Sequence, residues 1–318
     1  MDFSPLFERI AAHYTLLTWV FDCFNELPYL RFRGDYGSGK TRALIALGSI
    51  AYKGFFASGA STVSPIFHTL DRFRGTLVLD EADLRFSDKT ADVVKILNNG
   101  NVQGLPVLRT LQNGNKEFNP AAFNVFGPKI VAMRGAFTDQ ALESRFLTEE
   151  MGMRPLRENV PIALPDAMRS EALALRNKLL HFRLTSLSGI KTETSRVLAD
   201  IAPRLNQIAL PLLSLVGDAS LREQIASLLR RQHARLTAQR ARSAKERVIA
   251  AANEIFRASG PATIALRDLA HRTNAAGDEF DDPVSARDVG KVLRALSIPL
   301  QKSHGNMVIR KEDWKTMV

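Results

Sequence analysis

The stretch that decides the fold reads Gly34-Asp35-Tyr36-Gly37-Ser38-Gly39-Lys40-Thr41. It fits the pattern G-x-x-x-x-G-K-[ST], whose glycines let successive backbone N–H groups close around a phosphate. Residues 29–33 before it predict a short strand, and residues 42–47 after it predict a helix. The pattern requires this setting, because the N-terminus of the helix adds positive potential where the phosphate binds. The sequence therefore predicts a phosphate-binding loop, the P-loop.

The end of this loop carries side chains suited to ATP and Mg²⁺. We expect Lys40 to reach the β- and γ-phosphates and Thr41 to hold Mg²⁺ through its hydroxyl group. The rest of the loop and the first turn of the helix are expected to line the same site. The predicted nucleotide-binding residues are Gly34, Asp35, Tyr36, Gly37, Ser38, Gly39, Lys40, Thr41 and Arg42.

A second motif reads Thr76-Leu77-Val78-Leu79-Asp80-Glu81, an apolar run that ends in two acids. Such a run predicts a buried parallel strand, and open α/β sheets bind ligands beyond the carboxyl ends of their strands. We therefore expect Asp80 to share the Mg²⁺ ion with Thr41. We expect Glu81 to act as the general base that polarises the attacking water.

The letters Asp80-Glu81-Ala82-Asp83 also spell the signature of DEAD-box RNA helicases. Those enzymes resemble two tandem RecA-like domains with a much longer gap between the two motifs. Here one α/β unit is followed by a basic, helix-rich tail. The short gap, with a glutamate directly after the metal-binding aspartate, resembles the AAA+ division of P-loop ATPases instead.

The composition restricts the class of protein. The chain has 318 residues, a formal net charge of +10 and one cysteine, Cys23. This length suggests two or three domains, and one cysteine excludes a disulfide framework. The sequence shows neither a run of transmembrane length nor a basic signal-peptide start, so we expect a cytoplasmic protein without membrane contact. The positive charge predicts a nucleic-acid partner, with a basic surface selected for solubility as the alternative.

The predicted architecture is an α/β P-loop (AAA+) core with a parallel sheet, followed by an α-helical lid and a C-terminal winged-helix domain. Apolar residues at helical spacing predict a helix over residues 3–27, and three prolines mark the connector that follows the core. The predicted divisions are an N-terminal helix (1–28), the nucleotide-binding core (29–150), the helical lid and connector (151–243) and the winged-helix DNA-binding domain (244–318).

Within the core, residues 105–118 predict a β-hairpin. Two β-prone runs flank Asn113-Gly114, a pair that favours a type I′ turn, and Lys116 lies near the tip. A further buried strand is predicted at residues 128–133 and a short helix at residues 138–146.

The last part of the chain predicts three helices followed by a second hairpin. This order is typical of winged-helix domains, in which the third helix enters a major groove. Ser285 is expected to cap that helix. The predicted DNA contacts are Arg287, Lys291 and Arg294 on one helix face and Lys302 on the wing. The alternative is a winged helix that contacts protein.

These features together resemble the AAA+ helicases of the MCM-like kind, most closely the single-chain MCM-like helicases of phages and mobile elements. The segment Ala141-Leu142-Glu143-Ser144-Arg145-Phe146 is similar to the Leu-x-Ser-Arg-Phe segment that carries the arginine finger in MCM proteins. The resemblance implies that Arg145 acts in trans, on ATP held by a neighbouring subunit. It also makes Arg204, at the start of a sensor-2-like helix, a candidate for contacting the γ-phosphate.

The hairpin at residues 105–118 is similar to the pre-sensor-1 hairpin of MCM-like and superfamily 3 helicases. This implies that Lys116 grips DNA phosphates without sequence preference. One position departs from the pattern: Met133-Arg134-Gly135 stands where MCM proteins place the sensor-1 asparagine. Either Arg134 takes that role or sensor 1 is lost.

The resemblance implies an ATP-dependent DNA helicase or translocase, an oligomer with a hexamer as the expected size, acting in replication of a phage or mobile element. A first alternative is an AAA+ initiator or helicase loader that binds duplex DNA through its winged helix. A second is an AAA+ regulator whose winged helix contacts protein. RNA remains open as the track.

Overall fold

The computed structural model describes residues 3–58, 62–80, 88–112, 118–137, 139–158, 160–256, 261–276, 283–303 and 305–315. The chain forms two compact units, Met1–Arg231 and Gln232–Val318. Two predicted site residues, Glu81 and Lys116, lie outside the described residues. Among the described residues, no helix combines the length and the apolar character needed to cross a bilayer.

The first unit is built of alternating helices and strands. Its strands are β1 (Tyr29–Arg33), β2 (Phe55–Ser58), β3 (Leu77–Asp80), β4 (Val107–Gln112), β5 (Phe118–Phe123), β6 (Lys129–Met133) and β7 (Phe146–Glu150). Its helices are α1 (Pro5–Trp19), α2 (Lys40–Gly48), α3 (Val63–Phe73), α4 (Asp88–Asn99), α5 (Gln140–Glu143), α6 (Met168–Ser186) and α7 (Pro203–Leu215). A longer helix, α8 (Ala219–Phe256), contributes residues to both units.

Five strands form a parallel sheet in the order β2-β3-β6-β1-β7. The predicted α/β core with a parallel sheet is thereby confirmed. Strand β6 lies between β1, which leads into the P-loop, and β3, which ends at Asp80. The carboxyl ends of these three strands consequently meet at one edge of the sheet, where α/β folds place their ligands.

Two predicted helices are shorter in the structure than the sequence suggests. Helix α1 is capped by Ser4 and ends at Trp19, and a 3-10 turn follows at Phe21–Cys23. The apolar spacing continues past the end of α1 because Phe21 and Phe24 still pack into the core. The helix predicted at residues 138–146 is only α5, and the unpredicted strand β7 begins directly after it at Phe146.

Strands β4 and β5 pair antiparallel, with Val107 opposite Phe123 and Gln112 opposite Phe118. A hairpin is thus confirmed at this point of the chain, but its second strand begins at Phe118, where the prediction ended it. Residues 113–117, which include the predicted turn pair, lie outside the described residues. The hairpin directly precedes β6, so its root is fixed to the central strand of the sheet.

The second unit has a small antiparallel sheet packed against helices. Its elements are β8 (Thr263–Ala265), α9 (Leu266–Ala275), α10 (Ala286–Ala295), β9 (Gln301–Ser303), β10 (Asn306–Arg310) and α11 (Lys311–Lys315). The sheet order is β8-β10-β9. Ser285 caps α10 as predicted, because its hydroxyl accepts a hydrogen bond from Asp288 N and the Asp288 carboxylate accepts from Ser285 N. This reciprocal capping box fixes where α10 begins.

Candidate functional site

The P-loop has the backbone shape that a phosphate cradle needs. Gly37 and Gly39 adopt positive φ angles of 75° and 88°, a region that side chains with a Cβ rarely enter. Helix α2 starts at Lys40 with Gly39 as its N-cap, so the free N–H groups of its first turn face the loop. A Cβ atom at Gly34 would lie 2.5 Å from the Met151 carbonyl oxygen, which explains the glycine at that position.

The two side chains expected to act on phosphate and metal are placed differently. Lys40 Nζ donates to the carbonyl oxygens of Gly34 and Asp35, both at 2.7 Å, so its ammonium group is folded onto the loop. Thr41 Oγ1 donates to Asp80 Oδ2 at 2.8 Å. This hydrogen bond joins the P-loop helix to the end of β3 and brings the two predicted metal ligands together.

A hydroxyl and a carboxylate at this separation fit a Mg²⁺ ion. Mg²⁺ prefers oxygen ligands at about 2.0–2.1 Å and commonly takes only one or two from protein, with water and phosphate oxygens completing its octahedron. No group of three or more His, Cys, Asp or Glu side chains suited to a metal occurs in the part of the chain that the structure describes. An ion held by Thr41 and Asp80 therefore has room for water and for oxygen ligands from a bound substrate.

A cavity of about 360 Å³ opens over the P-loop. Its lining runs along the loop from Tyr36 to Arg42 and continues over Asp80 to the end of β6. Tyr36 is 90% exposed at the tip of the loop. Arg134, the residue that follows β6, is exposed and lines the same cavity. The residue that directly follows β6 thus adds a cation to the wall of the cavity over the P-loop.

A second cavity, of about 450 Å³, shares part of its wall with the first. The shared residues are Gly37, Ser38, Gly39 and Arg42. The apolar wall of the second cavity comes from the segment that follows β7, with the side chains of Met151, Met153, Leu156, Val160 and Ile162. A ligand with its phosphates on the P-loop can therefore extend an apolar group into this second space.

The charged side chains that line the second cavity are already paired. Glu150 forms an ion pair with Arg33, and Arg154 forms one with Glu149 at 3.4 Å. Arg42, predicted as a nucleotide contact, donates to the carbonyl oxygens of Pro161 and Ile162 instead. It anchors the connector against the first turn of α2.

Sequence reasoning missed this apolar wall. The prolines of this segment, residues 151–165, predict only the connector that follows the core. The available signal was the apolar residues scattered among the prolines, which a purely solvated linker does not need.

Arg145 has an environment that differs from the expected one. The sequence predicts an arginine that reaches a neighbouring subunit, but Arg145 is only 8% exposed. Its guanidinium donates to Asn101 Oδ1 at 2.8 Å, to Asn98 Oδ1 at 2.7 Å and to the Ala141 carbonyl oxygen at 2.9 Å. In this arrangement Arg145 ties α5 to the end of α4 within its own chain.

Arg204 lies close to Arg145. Burial lowers the pKa of Arg145 to about 10, and the positive charge of Arg204 adds to this effect. Arg204 is half-buried in the first turn of α7. Neither arginine lines the two cavities at the P-loop. The structure therefore brings these two candidates together, and separates both from the P-loop of their own chain.

A buried ion pair connects the P-loop strand to the same region. Arg31, in β1, is fully buried and its Nη2 donates to Glu143 Oε2 at 2.7 Å. Glu143 Oε1 also accepts from Phe137 N at 2.7 Å. Arg31 further stacks over the Phe146 ring, with 4.8 Å from Cζ to the ring centroid. The position of α5 is thereby fixed against the strand that enters the P-loop.

The predicted DNA contacts of the second unit lie on its surface. Arg287, Lys291 and Arg294 are exposed on α10, whose opposite face buries Val289 and Leu293. Lys302 is exposed on β9. Lys291 Nζ donates to Asp288 Oδ1 at 3.0 Å. The hydrogen bond from Ser285, followed by the one from Lys291, lowers the pKa of Asp288 to about 2.

No protein-family model matches the sequence, and no curated protein matches it. Among solved structures, inhibitor-bound JCV helicase is similar with a TM-score of 0.31 and 18% identity, over 72% of this chain and 57% of that chain. The apo C-terminal region of NrS-1 is similar with a TM-score of 0.33 and 12% identity, over 97% of this chain and 76% of that one. The chain thus spans a little over half of the JCV helicase chain. Both similarities are distant.

Proposed function

We propose that the chain is an AAA+ ATPase that works as an oligomeric ring, translocates on DNA and separates its strands. The observation that carries the proposal is the Thr41–Asp80 hydrogen bond, which joins the P-loop to the end of β3 beside β6. In the chain, the β4–β5 hairpin comes immediately before the same strand β6. A nucleotide site at one end of this strand and a hairpin at the other suit a motor, because a change at the first can move the second.

In this proposal the P-loop holds ATP by its phosphates. Lys40 exchanges the carbonyl oxygens of Gly34 and Asp35 for phosphate oxygens, which are stronger acceptors because they are charged. Thr41 and Asp80 hold Mg²⁺, which neutralises charge on the phosphates when bound. Glu81 directly follows Asp80 in the sequence and remains the expected general base.

The second cavity is proposed to take the base and ribose. Its wall is largely apolar, and the charged side chains that line it already have partners. Binding of the base then rests mainly on packing and on removal of apolar surface from water. Arg42 contributes by holding the connector in place as part of that wall.

The arginines point to an oligomer. Arg145 and Arg204 lie near each other and line neither cavity at the P-loop, so a contact with a neighbour's nucleotide is the role proposed for this pair. Of the two, Arg204 is the better candidate, since it is half-buried whereas Arg145 is only 8% exposed. We propose that Arg145 positions α5 and that Arg204 supplies the cation that offsets charge on the transferring phosphate.

DNA is proposed to contact the hairpin and the second unit. Lys116 belongs to the hairpin segment between β4 and β5, and the net charge of +10 favours a polyanion. The second unit has the order of a winged helix: the end of α8, then β8, α9, α10, β9 and β10. The exposed cations of α10 and β9 then lie where a groove of duplex DNA would be contacted.

The initiator or loader remains as a second candidate function. It is favoured by the exposed basic face of α10 in a separate compact unit, which can bind duplex DNA without a motor. The two functions differ in the number of ATP molecules used, since a switch needs one turnover whereas a motor needs many.

Strand separation tests the proposal. A forked duplex, in which one strand carries a fluorophore and the other a quencher, is mixed with the protein, Mg²⁺ and ATP. The Lys40→Ala variant serves as the matched blank. We expect fluorescence to rise only for the wild-type chain and only with ATP. A wild-type protein that binds ATP and duplex DNA but releases no strand contradicts the motor and leaves the switch.

A further inference from the structure

A third cavity, of about 240 Å³, lies at the end of the sheet opposite to the P-loop. Three of the residues that line it lie in the segments that lead into strands: Lys53 precedes β2 by two residues, Arg74 precedes β3 by three and Asn124 precedes β6 by five. The P-loop, by contrast, follows the carboxyl end of β1. Because the strands are parallel, the two sites are separated by the length of the sheet.

The lining of this cavity carries an excess of positive charge. Its charged residues are the three cations Lys53, Arg74 and Arg183 and the single carboxylate Asp22. Arg183 occupies that carboxylate with two hydrogen bonds, at 2.6 and 2.8 Å. Neither Lys53 nor Arg74 has an ion pair or a side-chain hydrogen bond in the described part of the chain. Within the described ranges, two exposed positive charges therefore line the cavity without an anionic partner.

The loops that carry these two residues pack against each other. A Cβ atom at Gly75 would lie 2.3 Å from the Lys53 carbonyl oxygen, which shows how closely the two loops approach. The backbone N–H and the hydroxyl of Thr76 both donate to the Tyr52 carbonyl oxygen at 3.0 Å. The two loops are thus joined by backbone contacts, and both contribute a cation to the lining of the cavity.

Both residues have a left-handed backbone. Lys53 has a φ angle of 45° and Arg74 one of 47°, and only Ser297 shares this region among the described non-glycine residues. Arg74 is the C-cap of α3, where helices often end in this conformation. Any substitution at these two positions must therefore tolerate a positive φ angle.

The remaining polar residues suit an oxyanion. Gln103 and Asn124 line the cavity with amide groups. The side-chain oxygen of Asn124 already accepts a hydrogen bond from Phe126 N at 3.0 Å, which leaves its NH₂ group as a donor. At about 240 Å³ the cavity is smaller than the roughly 300–1,000 Å³ of most small-molecule sites. It therefore fits one phosphate group better than a whole nucleotide.

We propose that this cavity binds a phosphate group of a single-stranded nucleic-acid backbone. Gln103 precedes β4 by four residues and Asn124 directly follows β5, so the cavity lies at the root of the hairpin. A strand that runs along the hairpin carries a phosphate at every nucleotide and brings one to this root. The inference rests on the proposed function, because it assumes that nucleic acid reaches the hairpin.

The salt dependence of binding tests this contact. Affinity for a fluorescent oligo-dT strand is measured by anisotropy between about 50 and 200 mM salt. The test variant is Lys53→Asn/Arg74→Asn, because asparagine tolerates the left-handed backbone that both positions adopt. The matched control is Arg72→Gln/Lys178→Gln, which removes the same charge at exposed positions outside the cavity. Lys53→Arg/Arg74→Lys keeps the charge and serves as the rescue.

Loss of the one phosphate contact proposed for each chain lowers the slope of log Kd against log salt by about 0.7, the contribution of one phosphate on a single strand. We expect this loss in the asparagine variant alone, with unchanged binding of a fluorescent ATP analogue in all variants. A slope equal to that of the wild type in the asparagine variant overturns the inference. The inference is overturned in the same way if inorganic phosphate stabilises the wild-type fold while the asparagine variant keeps the wild-type slope. A wild-type chain that binds ATP but no oligo-dT contradicts the proposed DNA motor itself.

Discussion

The buried ion pair between Arg31 and Glu143 allows a sharp test of how the core is held together. Arg31 is fully buried and the Glu143 side chain is 7% exposed. Replacement of Glu143 by leucine leaves the guanidinium charge in the interior without its carboxylate. Breaking a buried pair from one side costs about 3–5 kcal/mol, because the remaining charge stays desolvated. The Glu143→Leu variant should therefore lose a large part of the free energy of unfolding of the first unit.

A second ion pair, also formed by an arginine of β1, serves as the matched control. Arg33 and Glu150 form an ion pair between the same two residue types, but the Glu150 side chain is 45% exposed. Exposed pairs contribute about 0–1 kcal/mol, so Glu150→Leu should change stability little. In Arg31→Met/Glu143→Leu both charges are gone, and we expect most of the loss to be recovered because no charge remains buried.

Tryptophan fluorescence reports the first unit alone if the second tryptophan is removed. The chain has two tryptophans, and Trp19 lies in the first unit whereas Trp314 lies in the second. Urea unfolding of all variants is therefore followed in a Trp314→Phe background. Equal losses for Glu143→Leu and Glu150→Leu, or a double variant no more stable than Glu143→Leu, would refute the reasoning.

Three further predictions follow from individual contacts. Gly34→Ala should lower the free energy of unfolding by about 1–3 kcal/mol, because its Cβ would meet the Met151 carbonyl oxygen at 2.5 Å. Gly217→Ala is the control in the same urea titration and should cost little, because no atom lies within 4 Å of its Cβ position. Burial lowers the pKa of Lys129 from 10.5 to about 7. Above pH 7 the unfolded chain therefore binds more protons than the folded chain, and the free energy of unfolding should rise by up to about 2 kcal/mol from about pH 7 to about pH 9. That rise should be absent in Lys129→Met, and a rise of equal size in the variant would assign it to other groups. Lys40→Ala and Arg204→Ala should each be inactive as ATPases. If Arg204 acts on a neighbour's nucleotide, mixing the two variants should restore part of the ATPase rate. No recovery in mixed oligomers contradicts action in trans.

Local patterns in the sequence were sufficient to predict the elements around the P-loop. The strand, loop and helix around Gly34–Thr41 follow from adjacent residues, and so does the acidic end of β3. The parallel sheet was expected from the same motifs. Its strand order was not, because the pairing of β6 with both β1 and β3 joins segments that are far apart in the chain.

The burial of Arg145 could not be foreseen for the same reason. Its partners Asn98 and Asn101 precede it by 47 and 44 residues. A motif shows that an arginine is present, but only the packing of α4 against α5 shows which acceptors surround it. Strand β7 was missed because its apolar start, Phe146, also completes the helical spacing of the preceding segment, and its end carries Glu149 and Glu150.

The rate of ATP hydrolysis by the purified protein, with and without single-stranded DNA, tests the central claim most directly. Lys40→Ala is the blank, since it removes the ammonium group proposed to bind the phosphates. The account predicts slow hydrolysis without DNA and strong stimulation by DNA to many turnovers, both abolished in Lys40→Ala. A slow rate that DNA does not change, in a protein that still binds ATP, would contradict the motor.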